Sequence, residues 1–446
     1  MAAPESFDLN SALPPDHVLR RQLNDEVHAR PPERIVAPAR VAFVALLADA
    51  RQREASWDRI GAVAQRFGVA PAGREALHYS AGFGDCRVKA ERHTEFLRVK
   101  IIAPGYGRGG AADPFLESAI DSAKADWLRD LEGETITAVR AAILPGDPWP
   151  WRSERAAEIL RTGEPLVGAM LSGGIGAAFT DLHIGEDGFS RLLLLDRGMT
   201  AGQIGRSLQR LLEIDAYRML ALLAFPIARA RMGELTGIEA GLSAVAASLV
   251  DAKEAEEPAL LEQLTRLAAT TESLQSASQF RFAAAASYHE LVERRIVELR
   301  EGRIEGLLTF GEFFERRLAP AMRTCRVVVE RQESLSARIA RATELLSTRV
   351  ELSSQRQSQA LLNSMDRRAQ LQLRLQETVE GLSVAAITYY IVSLVGKAAE
   401  GLEVEGVRIE PALAMGVAIP IVVLLVALGI RRIRRSVAKA FEKSGE

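Results

Sequence analysis

The side chains able to hold a metal ion or move a proton are few in this chain. Asn24, Asp25, Glu26 and His28 crowd one short stretch. His93 and Glu95 stand two apart, as do Asp181 and His183. Residues i and i+2 of an extended strand share a face, so each pair would set an imidazole beside a carboxylate. His28, His93, Glu95, Asp181 and His183 are therefore the candidate ligands of a metal site, the reading that would make this a membrane-surface metalloenzyme. The competing reading is surface polarity, with His28 at the solvated end of a capped helix. No nucleophile with a matched base accompanies these residues, so the leading expectation is a protein without catalytic residues, enzymatic activity or cofactor.

The other chemical motifs are weaker. Cys86 and Cys325 form no CxxC or zinc spacing and read as small apolar residues. Gly105, Gly107 and Gly110 spell GxGxxG after an expected strand, but no clear βαβ partner with an acidic strand end follows. A plain glycine loop is the better reading. Gly173, Gly174 and Gly176 lack the Lys-Ser/Thr of a phosphate loop. With a net charge of −2 and 6% aromatic residues, the chain offers neither a polyanion surface nor stacking platforms, and no nucleic-acid partner is expected.

The elements that would position these residues fall into two groups. Leu19, Leu23 and Val27 predict a short helix ended by Pro31 and Pro32. Strands are predicted over Val41–Ala48, Leu77–Phe83, Thr94–Ile102, Thr135–Leu144, Ile175–Ile184 and Phe189–Leu195. The last two are joined by a Gly-Glu-Asp-Gly hairpin turn. Helices are predicted over Ala55–Phe67 and Phe115–Leu131. After Asp196 the strand signals vanish. Thr200 is placed to cap a helix over Ala201–Ala224, and Pro226, Pro258 and Pro320 mark breaks. Ala321–Glu380 holds neither Pro nor Gly, and as one helix would run about 90 Å. Leu335, Ile339, Ala342, Leu346 and Val350 give it a coiled-coil-like seam.

The C-terminal part reads as a membrane hairpin. Gly381–Gly396 carries no charge, and the segment extends to Leu402 if Lys397 snorkels. Ala412–Ile430 is nineteen uncharged residues closed by Arg431, Arg432, Arg434 and Arg435. Helical, it spans about 28 Å, close to the hydrocarbon thickness of a bilayer. The loop between is acidic and the tail from Arg431 carries six basic residues, which places the tail in the cytoplasm. Met1–His17 holds no apolar run of the signal-peptide kind, so two spans with a cytoplasmic body are expected.

The fold class is thus α+β: an N-terminal mixed α/β domain, a long helical stalk and a C-terminal transmembrane hairpin. The boundaries fall at 1–40 for an arm, 41–196 for the α/β domain, 197–380 for the stalk, 381–402 and 412–430 for the spans, 403–411 for the outer loop and 431–446 for the tail.

Two resemblances follow from this order of parts. LRRQLNDEVHARPP at Leu19–Pro32, RHTEF at Arg92–Phe96, the segment Asp366–Gly401 and the last span with its RRIRR resemble a bacterial family of membrane-anchored proteins defined as a domain of unknown function. The likeness runs over nearly the whole chain and implies no activity or catalytic residue. In architecture the chain also resembles CorA-type magnesium and cobalt transporters, homopentamers whose first span lines the pore. That likeness would make Thr388 and Ser393 pore-facing, yet the Gly-Met-Asn filter is replaced by Val395-Gly396-Lys397. A lysine ring would repel cations.

The leading functional expectation is a membrane-anchored structural or signalling module of the bacterial inner membrane. It would be multi-pass, mostly cytoplasmic, and self-associating through the stalk, with the lipid bilayer, its own copies and an unknown soluble ligand as partners. The alternative is a CorA-like ion transporter or channel.

Overall fold

In the computed structural model, residues 14–21, 23–24, 33–146, 153–161, 166–404 and 411–442 are described. They fall into two compact units. The first comprises Met1–Asp251 and Glu262–Thr343, the second Ala252–Leu261 and Glu344–Glu446.

The first unit is built on one sheet. Among the described residues its strands are β1 (Ala39–Leu47), β2 (His78–Phe83), β3 (Cys86–Arg92), β4 (Phe96–Pro104), β5 (Glu134–Pro145), β6 (Val167–Leu171), β7 (Gly176–Thr180), β8 (Ser190–Asp196) and β9 (Gly302–Arg303). They lie in the order β2-β3-β4-β1-β5-β8-β7-β6-β9. The β5–β8 pair is parallel and the other pairs are antiparallel. The β7–β8 hairpin closes as predicted, with Gly188 N–H donating to the Gly185 carbonyl at 2.9 Å.

Helix α1 (Ala50–Arg66) begins at a capping box between Asp49 and Gln52. It buries Trp57, Ile60 and Ala64 against one face of the β1–β4 sheet, among Val88, Ala90, Leu97, Val99 and Ile101. Apolar residues at every second strand position make that face, so the alternation alone selects it. A second core gathers Ala142, Phe179 and Leu193 with Leu160 of α3 (Ser153–Leu160).

The expected helix Phe115–Leu131 is instead two fragments, α2 (Ala119–Ser122) and a 3-10 turn (Asp126–Asp130). Lys124 between them takes a left-handed φ of 46°, which no continuing helix tolerates. Strands β3, β6 and the two-residue β9 go beyond the predicted set. Charged residues alternate along β3 and dilute its apolar signal, and β6 has five residues with Gly168 inside.

The remaining helices are α4 (Ala201–Leu222), α5 (Ala224–Asp251), α6 (Glu257–Leu299), α7 (Phe310–Arg317), α8 (Ala319–Val404) and α9 (Pro411–Glu442). Pro226, Pro258 and Pro320 each stand in a first helical turn, where a missing N–H costs nothing. Thr200 caps α4 through Gln203, as the sequence predicts. Gly205 lets α4 meet the chain before β1: a Cβ there would fall 1.7 Å from the Glu33 carbonyl oxygen. The helical residues up to Thr343 cluster in the same unit as the sheet, except for the start of α6 up to Leu261, which belongs with the later part of α8 and with α9.

In the second unit α8 runs on to Val404, past the predicted end of the stalk. By length and composition, two helical stretches suffice to cross a membrane. One lies within Phe310–Ala399, with a window of mean hydropathy 1.5. The other is Met415–Arg432, with mean hydropathy 2.0 and none of it buried. Helix α9 continues through Pro420. The Met415 side chain sits against Gly396, where a Cβ would be 2.7 Å from its sulfur, so a glycine backbone admits α9 to α8.

Candidate functional site

The candidate ligands predicted from sequence do not converge. His28 lies outside the described residues. His93 and Glu95 sit in the β3–β4 turn and Asp181 and His183 in the loop after β7, so neither pair shares a strand face. Asp181 Oδ1 accepts the His183 backbone N–H at 3.1 Å, closing a local turn. Glu95 takes both arms of the Arg281 guanidinium, at 3.2 and 2.5 Å. His93 stacks on Phe96 with ring centroids 4.2 Å apart. Among the described residues no three His, Cys, Asp or Glu side chains come together as a metal-holding group.

The structure does assemble a polar site, on the sheet face opposite α1. On β3 and β4 the alternate positions are charged: Lys89 lies opposite Lys100, and Glu91 opposite Arg98. All four are buried. Phe43 of β1, opposite Lys100, ends the patch. Helices α4 and α6 bring the countercharges. Arg98 pairs with Glu91 and, at 3.3 Å, with Glu213 of α4. Arg295 of α6 holds Glu213 at 2.5 Å and Glu298 at 2.9 Å, and Arg210 holds Glu298 at 3.0 Å. Further along α4, Asp215 accepts from Thr137 of β5 and from Arg218 at 2.6 Å.

Each buried carboxylate thus meets a guanidinium, the condition under which buried charge is tolerated. Burial alone would push the Glu91 carboxyl up, but Arg98 and Lys89 outweigh it and hold it at about 2. Arg98 is desolvated too, yet Glu91 and the groups around it push it up. Lys100 is the exception. Among the described residues it has no ion-pair partner, and burial followed by repulsion from Lys89 brings its ammonium down to about 8. Beside it a cavity of about 20 Å³, the size of one water, reaches Gln209, whose amide oxygen has no protein partner. That space admits no substrate. Chemically the arrangement is a lock: Glu213 pins α4 to Arg98 of β4, Arg295 pins α6 to Glu213 of α4, and Arg281 pins α6 to Glu95 in the β3–β4 turn.

None of Lys89, Glu91, Arg98, Lys100, Glu213 or Arg295 stands out in the sequence reading. The available signal was the i, i+2 charge pattern of KAE at Lys89–Glu91 and RVK at Arg98–Lys100. It reads as a solvated strand face until helices from over a hundred residues away cover it.

The remaining sequence candidates are also placed. The GxGxxG loop is pinned by Arg40, which donates to the Gly105 carbonyl at 3.2 Å and the Glu117 carbonyl at 3.1 Å. The Arg40 guanidinium occupies the space beside Gly107, so the loop holds no open cradle. Both cysteines are buried and free. Burial pushes the Cys325 thiol up to about 11 and Cys86 up as well, which leaves them protonated at neutral pH. The Thr388 hydroxyl donates to its own helix at the Val384 carbonyl, 2.7 Å away. Ser393 is half-buried, while Arg431 and Arg432 are exposed on α9 and Arg434 and Arg435 follow within the same helix.

Comparison with known proteins gives one match. The family described as "Protein of unknown function (DUF3422)" matches residues 15–437. No curated protein and no solved structure matches the chain, so the likeness to CorA-type transporters finds no support.

Proposed function

This chain belongs to the DUF3422 family, whose description carries no activity, and from that starting point we propose that it is a membrane-anchored, non-enzymatic binding or signalling module. Its second unit anchors it in the bacterial inner membrane and joins copies of it together. The observation that carries this reading is the exposed apolar surface of that unit. On α8, Leu361, Met365, Leu375 and Val379 are all more than half exposed. Their spacing follows a coiled-coil stripe interrupted by polar positions. On α9, Leu413, Val417, Leu424 and Leu425 are equally bare. Soluble monomers seldom leave so much contiguous apolar surface uncovered. A bilayer around α9 and the end of α8, and a second copy along the middle of α8, would cover it.

The multi-pass orientation is the finer part of the reading. The arginines at 431–435 favour a cytoplasmic tail, and the Gly396–Met415 approach suits two packed spans. Single cysteines placed at Glu405 and Ser444, with Cys86 and Cys325 replaced, report it through a membrane-impermeant label on intact cells. Labelling at Glu405 alone is expected, and labelling at Ser444 would reverse the orientation. Self-association is read from the mass of the purified chain in mild detergent across a concentration series. A mass that stays monomeric throughout removes that part of the proposal.

A further inference from the structure

The ionic lock leaves one charge over. Lys100 of β4 is only 8% exposed and has no ion-pair partner among the described residues. Its ammonium is charged at pH 7, since burial and the repulsion of Lys89 bring it down only to about 8. A buried ammonium without a counterion is unfavourable. The register adds to the strain on it. Lys89 lies directly opposite Lys100 on the same sheet face, and like charges so placed repel across the strands.

The neighbouring carboxylates are already engaged. Glu91 is held by Lys89 at 3.2 Å and by Arg98. Glu213 is held by Arg98 at 3.3 Å and by Arg295 at 2.5 Å. Glu33 attracts Lys100 from further away, but it pairs with Arg87 at 3.7 Å and accepts from Ser80 at 3.1 Å. The cavity beneath α4 is thus lined by three cations, Lys89, Arg98 and Lys100, against two carboxylates, Glu91 and Glu213. Its volume of about 20 Å³ suits one particle of roughly a water's size and excludes an organic ligand. A water there would accept a hydrogen bond yet carry no charge, and the surplus positive charge would remain.

We propose that the cavity beside Lys100 is a binding site for one small monovalent anion of the chloride kind, held against Lys89 and Lys100 beneath α4. Bound there, the anion balances the charges that line the cavity and relieves the repulsion between the two lysines. Sulfate and phosphate are refused: the space is too small, and Glu91 and Glu213 repel surplus negative charge. The contact between sheet and helices then gains stability with halide concentration.

The test uses the full chain in a non-ionic detergent at pH 7, with sodium gluconate replaced stepwise by sodium chloride at constant ionic strength. Urea unfolding followed through the buried Trp57 and Trp127 reads stability. With a site half-filled at ~10 mM, chloride at about 100 mM should raise the wild-type midpoint by roughly 0.5 M urea. Lys100→Met is expected to lose this response. In gluconate it should be at least as stable as the wild type, and chloride should narrow the difference. Lys253→Met, at an exposed lysine, is expected to keep the full response. Broadening of the chloride-35 resonance by the native protein reads binding directly and should fall in Lys100→Met but not in Lys253→Met. Sulfate in place of chloride should move the wild type no further than it moves Lys100→Met. An equal chloride response in the wild type and Lys100→Met overturns the proposal, as does a response lost equally in Lys253→Met. A wild type that chloride does not stabilise overturns it too.

Discussion

The two units treat charge and apolar surface in opposite ways. The first buries charges and satisfies them from within: Glu91, Arg98, Glu213 and Arg295 make a closed set beneath α4 and α6. The second leaves large apolar side chains bare, from Leu361 on α8 to Leu428 on α9. A buried ion pair needs its partner in the same fold, because an uncompensated charge costs several kcal/mol. A bare leucine carries no such demand and waits for a bilayer or another chain. Partners of the first unit's charges are therefore found in the chain, whereas the proposed function assigns the second unit's surface to partners outside it.

The largest expected effect breaks the lock. Arg98→Ala strands Glu91 and Glu213 in the interior and should cost about 4 kcal/mol. Urea unfolding followed through the buried Trp57 and Trp127 measures it. A loss under 1 kcal/mol would mean that water reaches this face and that the contrast between the units is overdrawn.

Acid should act on the same set. Glu91 sits at about 2 against an ordinary 4.5, so its folded value lies below its unfolded one. Its contribution is complete above pH 4.5 and is lost as pH falls towards 2. The size is about 3 kcal/mol from the shift between the two values. Glu91→Gln should flatten that acid limb in a pH series of urea midpoints.

Lys100 runs the other way. Its folded value, about 8, lies below the unfolded 10.5, and the disfavoured state is the charged one. Stability therefore climbs as pH rises from 8 to 10.5, and below 8 the full penalty applies. Lys100→Met should gain up to about 3 kcal/mol at pH 7 and remove the alkaline rise. Lost stability at pH 7 would show that the ammonium has a partner that the fold does not display.

The smallest effect on folding belongs to the second unit. Leu361→Ser with Leu375→Ser should change the unfolding of the first unit by less than about 0.5 kcal/mol, as for surface substitutions generally. The same pair should shift the mass of the detergent-solubilised chain towards monomer. A large folding loss without a mass change would place these leucines against the chain itself.

How much of this was readable from the sequence depends on where each partner lies along the chain. The apolar sheet face, the β7–β8 hairpin and the caps at Asp49 and Thr200 rest on residues a few positions apart, and alternation or spacing displays them. The membrane-length stretches are written in composition alone. The ionic lock is different: Glu91, Arg98, Glu213 and Arg295 are separated by as many as two hundred positions, and nothing local says that their strands will be covered. The paired readings at His93–Glu95 and Asp181–His183 failed on element boundaries. Each strand stops one to three residues short of the pair, and a turn then takes over the backbone.

Washing membranes from cells that express the full chain, first with high salt and then with alkaline carbonate, tests the central claim most directly. Integral anchoring through the second unit predicts that the chain stays with the lipid pellet through both washes and leaves it only with detergent. Release by carbonate as a soluble, folded species would contradict the account. The bare leucines of α8 and α9 would then need a protein partner in place of the bilayer.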